Sequence, residues 1–172
     1  MFIQEARNHF GGIWVVSNGD NHTFSLIDLT AQAITFEVRK RNVAWFYSAI
    51  YASVVYPTHT TLWDYFTHLN STIKGPWVIL GDLNEVISPS KVQGVTFSIS
   101  RASLLINALD TCNIDGLDLV GGRGVLPGEE AFRVGLIRKK LDRFMANLEW
   151  RILFSHALVE LLPPINSDHN PI

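Results

Sequence analysis

The stretch Gly75-Pro76-Trp77-Val78-Ile79-Leu80-Gly81-Asp82-Leu83-Asn84 constrains this chain more than any other. Gly75 and Pro76 set a turn, Trp77 to Leu80 form a short apolar run, and Gly81 breaks it. A run of that length bounded by turn residues reads as a fully buried strand. Asp82 and Asn84 then fall just past the strand end, where a rigid sheet delivers polar side chains into a cleft. Flanking Leu83, they would put a charged acceptor and an amide on the same side of an extended segment. The same residues also suit an Asx turn that simply closes a strand.

Two distant segments bear on that choice. Ser167-Asp168-His169-Asn170-Pro171-Ile172 sets a carboxylate beside an imidazole, and Lys140-Leu141-Asp142-Arg143 carries another carboxylate in a strand-like run. Carboxylates, an Asn and a His at element ends are what metal-assisted phosphodiester hydrolysis needs. Carboxylates hold a hard cation through oxygen. An imidazole handles a proton or the phosphoryl oxygen, and a second carboxylate fixes its tautomer.

On Gly81-Asp82-Leu83-Asn84, Leu141-Asp142-Arg143 with Ala146-Asn147 and Trp150, and Ser167-Asp168-His169, the chain resembles the endonuclease/exonuclease/phosphatase superfamily. Within it, the likeness is greatest to the endonuclease domain of plant non-LTR (LINE-type) retrotransposons, and it covers nearly the whole chain. The resemblance implies a DNase I-like α/β fold, with two mostly antiparallel sheets packed as a sandwich, helices outside, and both ends incomplete. Residues 1–172 would form one partial domain. It also implies Mg²⁺ (or Mn²⁺)-dependent cleavage of a phosphodiester, with DNA as partner and the nucleus as location if the substrate is genomic. By the same resemblance Asp82 orients or activates water, and Asn84 stabilises phosphoryl oxygens. Asp168 helps bind the metal, His169 is the acid/base or oxyanion-stabilising group, and Asp142 orients it. Tyr51 corresponds to a Tyr that helps hold the metal site or phosphate, although Ser53-Val54-Val55 lacks the Pro and Asn that come after it in the family.

Three departures bear on activity. The family's N-terminal Asn and metal-binding Glu precede the segment that Gly11-Gly12 resembles, so the first third of the domain is expected to be missing. After Gly121-Gly122-Arg123 the family pattern Phe-Thr-Trp-Arg-Arg-Gly is replaced by Gly124-Val125-Leu126-Pro127-Gly128-Glu129-Glu130-Ala131. Codons for Val-Leu-Pro-Gly-Glu-Glu-Ala read two bases later can spell that hexapeptide. The hypothesis is a frame slip over residues 124–134, and genomic codons that cannot encode it would sink the idea. The chain also stops at Ile172, so sheet edges and apolar faces are expected to lie uncovered. Two rival classes remain: a phosphoesterase acting on phosphoinositides, sphingomyelin or RNA, and a non-catalytic retroelement remnant that at most binds nucleic acid.

Composition bounds these readings. At 172 residues the chain suits one domain with a real core. Its 47% hydrophobic and 17% charged residues read as buried sheet, since no apolar run approaches a membrane span and no secretory leader is visible. A net charge of -2 argues against a strongly basic nucleic-acid binder, although a carboxylate-rich metal site lowers net charge by itself. Arg133, Arg138, Lys139, Lys140, Arg143 and Arg151 form the one basic concentration, which suits a phosphate backbone or an ordinary solvated face. Cys112 has no partner for an internal disulfide and reads as a small core residue.

Along the chain, the expected strands are Ile13 to Val16, Thr23 to Ile27, Ala33 to Val38 and Val43 to Tyr51, with Tyr51 as a sheet-edge aromatic on chemistry alone. Helices are expected over Thr60 to Ile73, capped by Thr60 or Thr61, and over Ser100 to Cys112. The first would bury Leu62, Phe66, Leu69 and Ile73 and leave His68 off the stripe. The second would turn Leu104, Leu105, Ala108, Leu109 and Cys112 inward. Strands Leu117 to Val120 and Leu158 to Leu162 flank a third helix, capped by Asn147, with Trp150, Leu153 and Phe154 inward.

Overall fold

The computed structural model of the chain describes residues 1–6, 12–17, 21–93, 96–116, 138–139 and 142–159, with backbone alone at 59, 91–93, 138 and 139. Its centre is a six-stranded sheet of β3 (Thr23–Leu29), β4 (Ala33–Lys40), β5 (Val43–Tyr51), β6 (Trp77–Asp82), β10 (Asp142–Asn147) and β8 (Ile114–Gly116), in that spatial order. Every pairing is antiparallel except β5 with β6, which run parallel and are joined by α1 (Tyr56–Thr72). A parallel pair cannot be closed by a tight hairpin, so the long crossover helix is a geometric requirement. Two short ribbons accompany the sheet: β1 (Phe2–Gln4) with β2 (Ile13–Val15), and β7 (Val92–Gln93) with β9 (Arg138–Lys139).

Strand alternation gives the central sheet two apolar faces. On one, Ala33, Ile50, Trp77, Ile79 and Met145 pack with Leu62, Phe66 and Leu69 of α1 and with Leu105 and Leu109 of α2 (Ile99–Thr111). On the other, Ile34, Phe36, Val38 and Ala49 meet Ile13 and the partly buried Phe2 and Val15 of the β1–β2 ribbon. Val78 and Ala146 continue this second face beneath Trp150 of α3 (Leu148–Leu153). Two sheets packed face to face, with α1 and α2 on the outer face, make an α/β sandwich. Trp77 and Phe66, 1% and 0% exposed, each contribute about 1.5–3 kcal/mol of burial. No helix among the described residues is long and apolar enough to cross a membrane.

Several expectations are corrected. Helix α1 begins at Tyr56, not Thr60. Pro57 pre-sets the helical φ in the first turn, and the N-cap is Val55, which gives no side-chain cap. The predicted stripe is buried, His68 is exposed, and Trp63, outside that stripe, is buried too. In α2, Ser98 is the N-cap, Ala102 is buried, and Leu104 is 45% exposed rather than inward. In α3, Asn147 caps as predicted and Trp150 is buried, but Leu153 is 38% exposed rather than inward. Tyr51 belongs to an interior strand, not a sheet edge. Cys112 is buried. The predicted strand at 117–120, the altered segment 124–134 and most of 158–162 lie outside the described residues.

Candidate functional site

Strand β6 does not stop at Gly81. It continues through Asp82, because Gly81 adopts φ 129, a region that side chains rarely enter. A Cβ at Gly81 would lie 2.0 Å from the Ile50 carbonyl oxygen, so only glycine lets β6 run this close to β5. The extension places Asp82 in register with Tyr51 on the parallel side and Asp142 on the antiparallel side. Residues directly opposite share a face, so Tyr51, Asp82 and Asp142 stand as one row across three adjacent strands, about 5 Å apart. All three line an open cleft of about 350 Å³ whose far wall is formed by Gly12, Ile13 and Trp14 of the β2 segment.

Asn84 is not extended, as expected from sequence, but left-handed at φ 47. Its backbone N–H donates to Asp82 Oδ1 at 2.7 Å, an Asx turn. Of the two sequence readings of this tetrapeptide, the Asx turn is the one the backbone adopts, and the extended placement of Asp82 and Asn84 is corrected. Asn84 Nδ2 donates to the Ala52 carbonyl at 2.6 Å, and the Ala52 N–H donates to the Asp82 carbonyl at 2.8 Å. The segment after Tyr51 is fixed in turn by buried Gln32, whose Oε1 accepts from the Ser53 N–H at 2.7 Å and whose Nε2 donates to the Thr58 carbonyl at 2.9 Å.

Behind the row sits a charged cluster that sequence reasoning passed over. Glu85 is 6% exposed; its Oε2 accepts from Arg101 Nε at 2.8 Å, and its Oε1 from the Val86 N–H at 3.1 Å. Arg101 also lies over the Tyr56 ring, 4.5 Å from its centroid. Arg143 Nη2 donates to the Glu85 carbonyl at 3.3 Å, and burial lowers the Arg143 pKa while Glu85 pulls it back up. A carboxylate set between Asn84 and the apolar Val86-Ile87 was the available signal, because a charge flanked by core residues needs a partner. Of the basic concentration, the side chains of Arg143 and Arg151 are described: Arg143 faces Glu85, and exposed Arg151 stands 3.8 Å from Asp115. Arg133 and Lys140 lie outside the described residues.

The structure thus brings together Tyr51, Asp82, Asn84 and Asp142. Asp168 and His169 lie outside the described residues. For a divalent cation, Asp82 and Asp142 are donors of the right type, hard oxygens on one face. Among the described residues no group of three His, Cys, Asp or Glu could hold a metal. Beside the cleft, a second cavity of about 580 Å³ lies between β2 and the sheet, lined by Trp14, His22, Phe36, Trp45 and Tyr47. Burial raises the Tyr47 phenol to about 12.

The sandwich with its single parallel pair is a DNase I-like α/β fold. No protein-family model matches the chain, and no curated protein does. Among solved structures it is similar to the endonuclease domain of TRAS1, a telomere-specific non-LTR retrotransposon. There the TM-score is 0.57 at 13% identity, over 76% of this chain and 58% of that one. It is also similar to a beta hairpin deletion mutant of beta toxin from Staphylococcus aureus, with TM-score 0.50 and 14% identity, over 82% of this chain and 54% of the toxin. The chain therefore spans little more than half the length of either neighbour, and at these identities the likeness is one of fold.

Proposed function

We propose that this chain is a phosphodiester hydrolase domain of nuclease type, derived from a DNA-nicking endonuclease of a plant LINE-type retrotransposon. The observation that carries the reading is the row Tyr51–Asp82–Asp142, held at the ends of three adjacent strands, with the Asn84 backbone N–H bonded to Asp82. Fold similarity to the TRAS1 endonuclease domain supports it.

In this reading Asp82 orients or deprotonates the attacking water. One Asn84 amide hydrogen is on Ala52, and the other is left to donate to a phosphoryl oxygen, where charge grows in the transition state. Asp142 fixes the ring of His169, which handles the proton or the oxyanion, and Tyr51 steadies the phosphate side of the cleft. Asp168 would help hold Mg²⁺ or Mn²⁺, with Asp82 and Asp142 as nearby hard donors. The ion would supply charge neutralisation at the phosphoryl oxygens. DNA is the partner, and genomic DNA would place the protein in the nucleus.

The test is nicking of supercoiled plasmid with Mg²⁺, after a thermal melt has shown a cooperative fold. Metal-dependent nicking that disappears in His169→Ala and Asp82→Ala is expected. A folded, silent protein that still binds DNA in a salt-dependent way would replace this reading with a non-catalytic remnant.

A further inference from the structure

Arg101 ties together the segments that leave the strands of the row. Its Nε binds the carboxylate of Glu85, next in sequence to Asn84, and its guanidinium covers Tyr56, which opens the helix after Tyr51. Through the Glu85 carbonyl the same cluster reaches Arg143, the residue after Asp142. Three segments that converge only in the folded sheet are thereby tied to the first turn of α2.

We infer that Glu85 and Arg101 form a positioning bracket that fixes the Asp82–Asn84 turn relative to Asp142 from behind the cleft. The inference rests on the site assignment proposed above. A left-handed Asn84 stores backbone strain, and strained residues persist only where their surroundings over-determine them. Two tethers do so here. Ahead, Asn84 Nδ2 is held by Ala52; behind, the next residue is pinned through both carboxylate oxygens and its carbonyl. With the Arg101 bond cut, Glu85 Oε2 loses its charged partner while the Glu85 carbonyl stays on Arg143, and the loosened Glu85 gives Asn84 freedom to swing out of line with Asp82. The bracket also explains a buried charge in a loop, which otherwise costs folding energy with no return in packing.

The experiment is amide hydrogen exchange by NMR on the whole chain. It compares Arg101→Met, Arg101→Lys and the apolar pair Glu85→Met/Arg101→Met, with plasmid nicking kinetics in parallel. In Arg101→Met the Asn84 amide is expected to exchange roughly tenfold faster or more relative to core amides of Ile79 and Met145, with kcat reduced and KM held. Arg101→Lys should recover part of the protection. The apolar pair should keep the melting temperature, since replacing both partners of a buried pair is often neutral, yet still lose Asn84 protection. Asn84 protection unchanged in the apolar pair, or rising exchange shared equally by Ile79 and Met145, overturns the bracket. Exchange does not require turnover. A silent wild type with the expected exchange pattern therefore sinks the hydrolase reading and leaves the bracket standing.

Discussion

Gly81→Ala is the sharpest test of how the carboxylate row is built. The added methyl carbon would meet the Ile50 carbonyl oxygen at 2.0 Å, and opening that gap to the 3.0 Å that real contacts respect pushes β5 and β6 apart by a full ångström. An Ala held at φ 129 adds backbone strain of order 1–3 kcal/mol. Weakening one or two ladder hydrogen bonds between the strands adds about 1 kcal/mol each. Together the cost is about 2–5 kcal/mol, against a total stability of about 5–15 kcal/mol for a domain. At about 2–4 °C per kcal/mol for a chain of this size, the melting temperature should fall by roughly 4–20 °C. Urea denaturation followed by Trp fluorescence gives the same quantity independently. Gly116→Ala is the control: no atom lies within 4 Å of its would-be Cβ, and a change within about 0.5 kcal/mol is expected. A Gly81→Ala protein within about 1 kcal/mol of wild type would mean that β6 is not pressed against β5, and the alignment of Tyr51 with Asp82 would lose its basis.

The same structure fixes other outcomes. Asn147→Ala removes the acceptor for the Trp150 and Trp77 N–H groups and the donor to the Gly75 carbonyl, and should cost about 2–3 kcal/mol in urea melts. Ser48→Ala strips a partner from both Thr35 and Trp77 Nε1 in a buried network, and a loss of about 1–3 kcal/mol is expected by the same method. Burial raises the phenols of Tyr47 and Tyr65 from 10.0 to about 12. The fold keeps them neutral, so the stability they contribute is present below pH 10 and lost as pH climbs through about 12. Phenolate absorbance from these two residues at the ordinary phenol pH, in folded protein, would contradict their burial. Burial pushes the Cys112 thiol up to about 11, so it should resist a thiol reagent at neutral pH until the protein is denatured.

Periodicity made the strands and the inward face of α1 readable in the sequence, because burial of one stripe is a local pattern. The candidate site was readable only in part. Asp82, Asn84 and Asp142 could be named from their motifs, but their alignment depends on a glycine that continues a strand where composition says it should end. Asn84 looked like an extended neighbour of Asp82, since a left-handed Asn is decided by its tertiary bonds to Ala52 and Asp82. Leu104 sat on a plausible helical stripe, but what covers α2 is set by the angle at which it meets α1 and the sheet. Glu85 with Arg101 escaped because a long-range pair leaves no mark on local spacing.

The single parallel pairing has a kinetic corollary. Tyr51 and Asp82 belong to one continuous strand–helix–strand unit, whereas Asp142 arrives from a segment far downstream. During synthesis the first two can be side by side while β10 is still to come, leaving β6 as an open hydrogen-bonding edge that ends in a carboxylate. A charge on an unpaired edge discourages stray pairing with other chains. Until its proper partner docks, the carboxylate at Asp82 would thus guard the nascent sheet against association.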